Sequence, residues 1–198
     1  MSASGSKSLA TIGFLTVREY SGRGLFGGYL VLNTAGRPLE FHCTAPVRPS
    51  RAQEILYGPT LQPFLYGEQI GQTLVNKAVS KPLFVCTDVE PALALRDNSK
   101  LPLVLVLEES PEDADDADHA VSETYHRLDA THPSRAPAPL TRFTVGQNRV
   151  AVPQAHATDQ DAVLRVWERP FDSLDLREPF TRIHEAIEEA QRGPGRGA

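Results

Sequence analysis

The order of the sequence patterns predicts an α/β domain built on a mixed sheet. Three strand-like segments come first and are joined by short turns, which predicts an antiparallel three-stranded meander. Two later segments are apolar on both faces and flank a short helical pattern, which predicts parallel strands covered by helices. A C-terminal hairpin and helix are expected after an acidic stretch. The predicted fold class is therefore a mixed sheet, with a meander followed by parallel strands and helices.

The meander is predicted from three segments, which read LATIGFLTVREY, LFGGYLVLN and LEFHCTAPV. The pair Gly27–Gly28 in the second segment predicts a bulge or a close approach of another backbone. The third segment places Leu39, Phe41 and Cys43 on one face, and polar residues on the other. This alternation is typical of a half-buried strand.

Two helices are predicted after the meander. Ser50 and Gln53 have the spacing of a capping box, so a helix is expected to begin with RAQEILYG. A second helix is predicted over residues 60–79, where Gly67 and Gly71 lie one turn apart and would permit close packing on the sheet.

The segment KPLFVCTDVEPALALRD, residues 81–97, climbs through an apolar strand to Asp88 and continues as a short helix. Two interpretations of Asp88 remain open at this point. It is the N-cap of the helix that follows, or it is a metal-binding carboxylate at the end of the strand. The next strand is predicted in LPLVLVLE, parallel to the first and joined to it by a right-handed crossover.

The C-terminal part is predicted as a hairpin and a helix. TRFTVGQNRVAV and AVLRVWERP are interpreted as the two paired strands. The terminal helix has an apolar stripe, and a solvated face is expected on its other side. The stripe consists of Phe180, Ile183 and Ile187, and the solvated face of Arg177, Glu178, Arg182, Glu185 and Glu188. The expected divisions are a core over 1–107, a linker or loop over 108–139, the C-terminal unit over 140–193 and a disordered tail over 194–198.

The charge is concentrated in one stretch. Residues 108–123 contain eight Asp/Glu and no Lys/Arg, whereas residues 1–107 carry ten Lys/Arg against seven Asp/Glu. Like charges without apolar neighbours are typical of a solvated linker. The remainder is nearly neutral, so the charge pattern does not support a dedicated nucleic-acid binder, although nucleic acid stays a possible partner.

Cysteine usage and hydropathy predict a cytoplasmic protein. Cys43 and Cys86 lie in strand-like runs without CxxC spacing, which favours buried thiols in a reducing compartment. The first residues lack the apolar core of a signal peptide, and the chain lacks an apolar run long enough to span a membrane. No membrane partner is expected.

The order of elements in residues 1–107 resembles the ribonuclease H-like fold. GLFGGYLVL is similar to the glycine-rich opening of that family's second strand. RAQEILYG is similar to the start of its first helix, and LFVCTD to its fourth strand, which ends in a metal-binding aspartate. The resemblance covers about half of the chain. The chain also resembles a bacterial family that implies no function.

The resemblance implies a metal site for Mg²⁺ or Mn²⁺, formed by carboxylates from the first strand, the first helix and the fourth strand. The corresponding candidates are Glu19, Glu54 and Asp88. The middle of the first strand reads Thr16, Val17, Arg18, and Glu19 is the only acid near its end. The candidate metal set is therefore incomplete at the first strand.

Three functional hypotheses follow. The leading one is a non-catalytic or degenerate ribonuclease H-like domain, without a cofactor, that binds a protein partner or self-associates. The first alternative is a Mg²⁺- or Mn²⁺-dependent nuclease or phosphotransferase using Glu19, Glu54 and Asp88. The second alternative is a small-ligand sensor, which predicts a cavity behind Phe41 and Tyr29.

Overall fold

The computed structural model describes residues 10–108, 139–167, 171 and 174–192. One seven-stranded sheet runs through this part of the chain, with the strand order β3-β2-β1-β4-β5-β7-β6. Its strands are β1 (Thr11–Tyr20), β2 (Gly24–Asn33), β3 (Pro38–Cys43), β4 (Val85–Thr87), β5 (Leu103–Val106), β6 (Leu140–Val145) and β7 (Asn148–Pro153).

The predicted fold class is confirmed. β1 pairs antiparallel with β2, and β2 pairs antiparallel with β3, which makes the expected meander. On its other side β1 pairs in parallel with β4, and β4 pairs in parallel with β5. The meander and the buried parallel pair therefore belong to one sheet, and Asp88 follows a strand that lies directly beside β1.

Helices cover both faces of this sheet. They are α1 (Arg51–Tyr57), α2 (Leu61–Pro63), α3 (Gln72–Lys77), α4 (Thr158–Val166) and α5 (Glu178–Arg192). A π-helical segment, Phe64–Gly71, joins α2 to α3, and 3-10 helices cover Gly58–Thr60, Glu90–Asn98 and Gln154–His156. The capping box that begins α1 is confirmed, because Ser50 and Gln53 exchange both hydrogen bonds.

The Gly27–Gly28 pair lets helices approach both faces of β2. A Cβ atom on Gly27 would collide with Ile70, whereas one on Gly28 would collide with Ile183 of α5. The close approach at this pair is therefore made by side chains of the helices and not, as predicted, by another backbone. The bulge lies further along, between Val31 and Leu32. Two apolar cores result, one under α5 and one under the π-helical segment.

The predicted C-terminal pairing is wrong. TRFTVGQNRVAV forms the whole hairpin by itself, since β6 and β7 turn at Gly146, which has a φ of 57°. The described part of AVLRVWERP is instead helical and then extends to Trp167. Val163 and Trp167 are buried one helical turn apart, a period that outweighs the β-branched composition. The predicted stripe of α5 is confirmed at Phe180, Ile183 and Ile187.

The edge strand β3 differs from its prediction. The apolar residues Leu39, Phe41 and Cys43 are exposed, whereas Glu40 and His42 are partly covered. The reason is that α5 packs on β1 and β2 and leaves β3 open. The thiol prediction is therefore correct for Cys86, which is buried, and wrong for Cys43.

Most of the acidic stretch and the tail over 194–198 lie outside the described residues, so the expected divisions of the chain stay predictions. None of the helices in the described ranges is both long and apolar enough to cross a membrane.

Candidate functional site

A cleft of about 400 Å³ opens where β4 and β5 end beside α5. Its polar lining consists of Asp88, Glu108, Arg177, Thr181 and His184, and its apolar lining includes Val106 and Phe180. In open α/β sheets, ligands bind outside the carboxyl ends of the parallel strands. The cleft lies at that end, which makes it the candidate site.

Three elements of the fold place polar side chains together at this cleft. Thr16 lies in β1 on the face that α5 covers, Asp88 directly follows β4, and His184 belongs to α5. The hydroxyl of Thr16 lies 3.2 Å from Nε2 of His184. One carboxylate oxygen of Asp88, Oδ2, lies 3.7 Å from the same nitrogen. Thr16 points toward α5 because alternate residues of β1 lie on the same face of the sheet.

Asp88 is held in an environment that disfavours its charge. Burial raises the pKa of Asp88 to about 6, although the Thr16 hydroxyl, the backbone N–H of Asp88 and the positive charge of Arg18 act in the opposite direction. Glu108 raises this pKa further through like-charge repulsion. Its other oxygen, Oδ1, is buried and has no hydrogen-bond partner within the described residues. Perturbed carboxylates in clefts are typical of functional sites.

The N-cap interpretation of Asp88 is wrong. The 3-10 helix Glu90–Asn98 has Val89 at its N-cap position, and no side chain caps it. The side chain of Asp88 instead points toward α5. Capping of the next helix therefore does not explain the position of Asp88.

His184 is half-buried, and its surroundings disfavour the protonated imidazole. Burial lowers its pKa, Arg18 lowers it further, and Glu188 partly counteracts both. Thr16 and Asp88 both approach Nε2. A nucleophile–histidine–acid relay needs the acid at the opposite ring nitrogen, so these three residues do not form such a triad.

Glu19 lies on the other face of the sheet. In β1, Leu15 and Val17 belong to the core under the π-helical segment, and strand alternation places Glu19 on that face. Its charge acts on Tyr66 of the same segment, where burial first and Glu19 second raise the pKa of the phenol to about 12. The structure therefore does not bring Glu19 and Asp88 together.

Glu54 is engaged on the surface of α1. Its carboxylate accepts a hydrogen bond from Arg51 at 2.9 Å, and α1 has no buried residue. The π-helical segment further along the chain contains Leu65 and Ile70, and it packs on the face of the sheet opposite α5. Across the described ranges, no group of three or more His, Cys, Asp or Glu side chains is arranged to hold a metal ion. Metal binding by the individual carboxylates stays a prediction.

Tyr29 and Phe41 do not line one common cavity of the kind that the sensor hypothesis predicts. Phe41 lies opposite Leu30 in the β2–β3 register, so Tyr29 and Phe41 point to opposite faces of the sheet. Tyr29 is fully buried against Gly13, and Phe41 is exposed.

Sequence reasoning identified Asp88 and missed His184. The signal for His184 was its place directly beside Ile183, at the border of the apolar stripe of α5. A polar residue at such a border is partly covered by the sheet, but the sequence does not reveal which strand end it meets.

Comparisons with known proteins give no family. No family model matches the chain, and no curated protein matches it. Among solved structures, the chain is similar to the crystal structure of human ENDOV, with 12% identity and a TM-score of 0.40 over 93% of this chain and 87% of that chain.

It is also similar to the catalytic domain of human Endonuclease V carrying four cysteine substitutions. The identity is 14% and the TM-score 0.41, over 95% of this chain and 86% of that chain. Both are nuclease-like α/β folds.

Proposed function

We propose that this chain is a non-catalytic ribonuclease H-like domain that binds a partner at the cleft between β4, β5 and α5. The single observation that carries the proposal is the identity of the β1 residue that faces Asp88. This residue is Thr16, and the nearest acid of the strand, Glu19, points to the opposite face.

A two-metal reaction needs several carboxylates that converge on the ions. Here Glu54 is paired with Arg51, and Asp88 has an imidazole and a hydroxyl beside it instead of a second strand carboxylate. The geometry therefore supports binding without cleavage. Two free cysteines fit a reducing compartment, and we include the cytoplasm in the proposal on that ground.

The unmet acceptor of Asp88 indicates which chemistry the partner brings. A buried carboxylate oxygen without a donor has an unfavourable free energy, and a ligand that supplies an N–H group removes that cost. Glu108 adds a second acceptor to the lining of the cleft. We therefore infer that a guanidinium, ammonium or amide donor of the partner inserts here.

A thermal-shift titration with N-acetyl-arginine amide tests this inference. We expect the probe to raise the melting temperature of the wild-type protein and to leave the Asp88→Asn variant unchanged. Asp161→Asn is the matched control, because Asp161 is exposed in α4 and does not line the cleft. An equal shift in all three proteins would show that the probe does not recognise Asp88.

The metal-dependent nuclease or phosphotransferase is the second candidate, and one observation favours it. The orphaned Oδ1 of Asp88 shares the cleft with Glu108 and His184, and hard divalent cations take such oxygen ligands. These three side chains would hold the ion, which would polarise a phosphoryl oxygen. Their present arrangement does not meet the geometry of a metal cluster, so they would have to move.

Titration with Mn²⁺ separates the two candidates. Binding without cleavage predicts no Mn²⁺-dependent rise in melting temperature and no hydrolysis of single-stranded or RNA–DNA hybrid oligonucleotides. Hydrolysis that disappears in Asp88→Asn and persists in Asp161→Asn would establish the enzyme instead.

A further inference from the structure

We propose that the cleft binds an arginine that carries a free carboxylate, with its guanidinium at Asp88 and its carboxylate at Arg18. This inference rests on the proposed binding at the cleft and adds the chemical class of the ligand. The class includes the C-terminal arginine of a peptide or protein and the free amino acid. An arginine inside a chain is outside the class, because its carboxyl group belongs to a peptide bond.

The first observation is an exposed cation on the face of the sheet that holds Asp88. Thr16 lies two residues before Arg18 in β1 and approaches His184 at 3.2 Å, so strand alternation places Arg18 on the same face. Burial lowers the pKa of His184, and the nearby charge of Arg18 lowers it further. Within the described residues, the guanidinium of Arg18 makes neither a hydrogen bond nor an ion pair.

The second observation is the spacing of the two opposite charges. β4 runs parallel to β1 with Thr87 beside Leu15, so the same register places Asp88 beside Thr16. Arg18 lies two residues further along β1. Because neighbouring strands are about 4.8 Å apart and each residue advances about 3.3 Å, the Cα atoms of Asp88 and Arg18 are about 8 Å apart. The two side chains are near each other but are not paired with each other in the described part of the chain.

An arginine with a free carboxylate matches this spacing. Six bonds separate its guanidinium carbon from its carboxylate carbon, which is about 7 Å when the side chain is extended. Its guanidinium supplies the donor that the buried Oδ1 of Asp88 lacks, and Glu108 lines the same cleft as a second acceptor. Its carboxylate accepts charge-assisted hydrogen bonds from Arg18. Both charges of the ligand therefore meet an opposite charge.

The lining of the cleft favours a guanidinium over an ammonium group. Val106 and Phe180 offer apolar surface to the three methylene groups of an arginine side chain. A guanidinium is more weakly hydrated than an ammonium group, and its planar fork of donors can reach two carboxylates at once. The volume of about 400 Å³ is near the lower end of the range for ligand pockets, which suits a single residue.

Two other charged side chains lie near the cleft and have different effects. Arg177 donates through Nε and Nη2 to the carbonyl of Leu107, so the fold itself uses these two donors. Glu188 acts on His184 in the opposite direction to Arg18, so its negative charge lies near the proposed position of the ligand carboxylate. Glu188→Gln should therefore strengthen binding of a ligand that carries the carboxylate.

NMR titration with two probes that differ in one group tests the inference. N-acetyl-arginine has a guanidinium and a free carboxylate, whereas N-acetyl-arginine amide has the guanidinium alone. We expect the wild-type protein to bind N-acetyl-arginine about tenfold more tightly, because its carboxylate adds charge-assisted hydrogen bonds. Arg18→Gln should bind both probes equally. Arg142→Gln, at an exposed position of the distant strand β6, is the matched control and should keep the preference.

The titration is done at pH 8, where Asp88 is ionised, and its outcomes separate this inference from the proposed function. Equal affinities of the wild-type protein for the two probes would overturn the carboxylate contact. Cleft binding would still stand if Asp88→Asn abolished both affinities. A preference that persists in Arg18→Gln would overturn the role of Arg18, and a failure of both probes to bind would overturn cleft binding as well.

L-arginine as a third probe distinguishes the two sources of the ligand. Tighter binding of L-arginine than of N-acetyl-arginine supports the free amino acid, because only L-arginine has the α-ammonium group. Weaker binding of L-arginine supports the C-terminal residue of a chain. Either order agrees with the inference, provided that Arg18→Gln weakens both probes.

Discussion

Two aspartates of the same fold, the buried Asp159 and the half-buried Asp88, differ in how their carboxylates are satisfied. Asp159 is 3% exposed, and Arg96 donates two hydrogen bonds to it, at 2.7 and 3.0 Å. The backbone N–H of Leu103 donates a third at 3.2 Å. Asp88 has one oxygen without any donor in the described residues, and burial lowers the pKa of the neighbouring His184.

The difference separates a structural carboxylate from a candidate functional one. Asp159 joins α4, the 3-10 helix Glu90–Asn98 and β5, so its charge is satisfied by the elements that it holds together. Asp88 is attached to β4 in the same sheet but faces an open cleft. Folded proteins satisfy buried polar groups, and the exceptions concentrate where a ligand completes the set.

Removing the satisfied carboxylate should have the largest effect. Asp159→Ala leaves the guanidinium of Arg96 without its partner, so we expect a loss of about 3–5 kcal/mol in the free energy of unfolding. Urea denaturation measures it. Asp97→Ala is the control, because the ion pair of Asp97 with His156 is exposed and should contribute at most about 1 kcal/mol. Equal losses in the two variants would contradict the structural role of Asp159.

Asp88→Asn should change the free energy of unfolding in the opposite direction. Removing an unsatisfied buried charge should raise the free energy of unfolding by about 1–2 kcal/mol at pH 7. The pKa of Asp88 is raised from 3.8 to about 6 in the folded state, so the folded protein binds the proton more tightly than the unfolded chain. Wild-type stability should therefore fall as the pH rises from about 4 to 6.

Denaturation at a series of pH values checks this second prediction. The stability difference between Asp88→Asn and the wild-type protein should be small below about pH 4 and reach its full size above about pH 6. The control variant Asp161→Asn should follow the wild-type curve. A variant that is less stable than the wild type at pH 7 would mean that Asp88 is satisfied after all.

The sequence was sufficient for the meander and the parallel pair, and insufficient for the C-terminal hairpin and for the site. Strands that alternate and strands that are apolar on both faces are local patterns, and chain connectivity then restricts the topology. The face of the sheet to which a side chain points depends on its register in the strand. Glu19 points to the face opposite Thr16, and a shift of one residue would bring it to the face on which Thr16 meets Asp88. Alternation in β3 predicts which residues share a face, but the position of α5 decides which face is covered.

A third carboxylate, Glu40, tests whether hydrogen-bond donors or burial determine the direction of a carboxylate's pKa shift. Burial would raise its pKa, but hydrogen bonds from His42 and from the N–H groups of Ser80 and Val79 outweigh this and lower the pKa to about 2. The distances are 2.7, 2.9 and 2.8 Å. Glu40→Gln weakens these charge-assisted bonds, so we expect a loss of about 1 kcal/mol at pH 7.

The pH dependence of Glu40 should be the reverse of that of Asp88. Because its folded pKa lies below the ordinary 4.5, the stabilisation is complete above about pH 4.5 and is lost as the pH falls toward 2. The wild-type protein should therefore lose its advantage over Glu40→Gln in that window. Glu68→Gln, at an exposed position, serves as the control. An advantage that persists at pH 2 would exclude this contribution.

The smallest effect is expected from Thr16→Val, which acts on Asp88 without touching its charge. The Thr16 hydroxyl lowers the pKa of Asp88, so its removal should move that pKa above about 6. Stability should change by at most about 1 kcal/mol, since Val has nearly the same volume. Carboxyl NMR titration measures the shift, with Thr181→Val in the same cleft as the control. A pKa of Asp88 that stays or falls would show that Thr16 serves His184 alone, and the cleft would then contain a histidine–threonine pair beside an independent carboxylate.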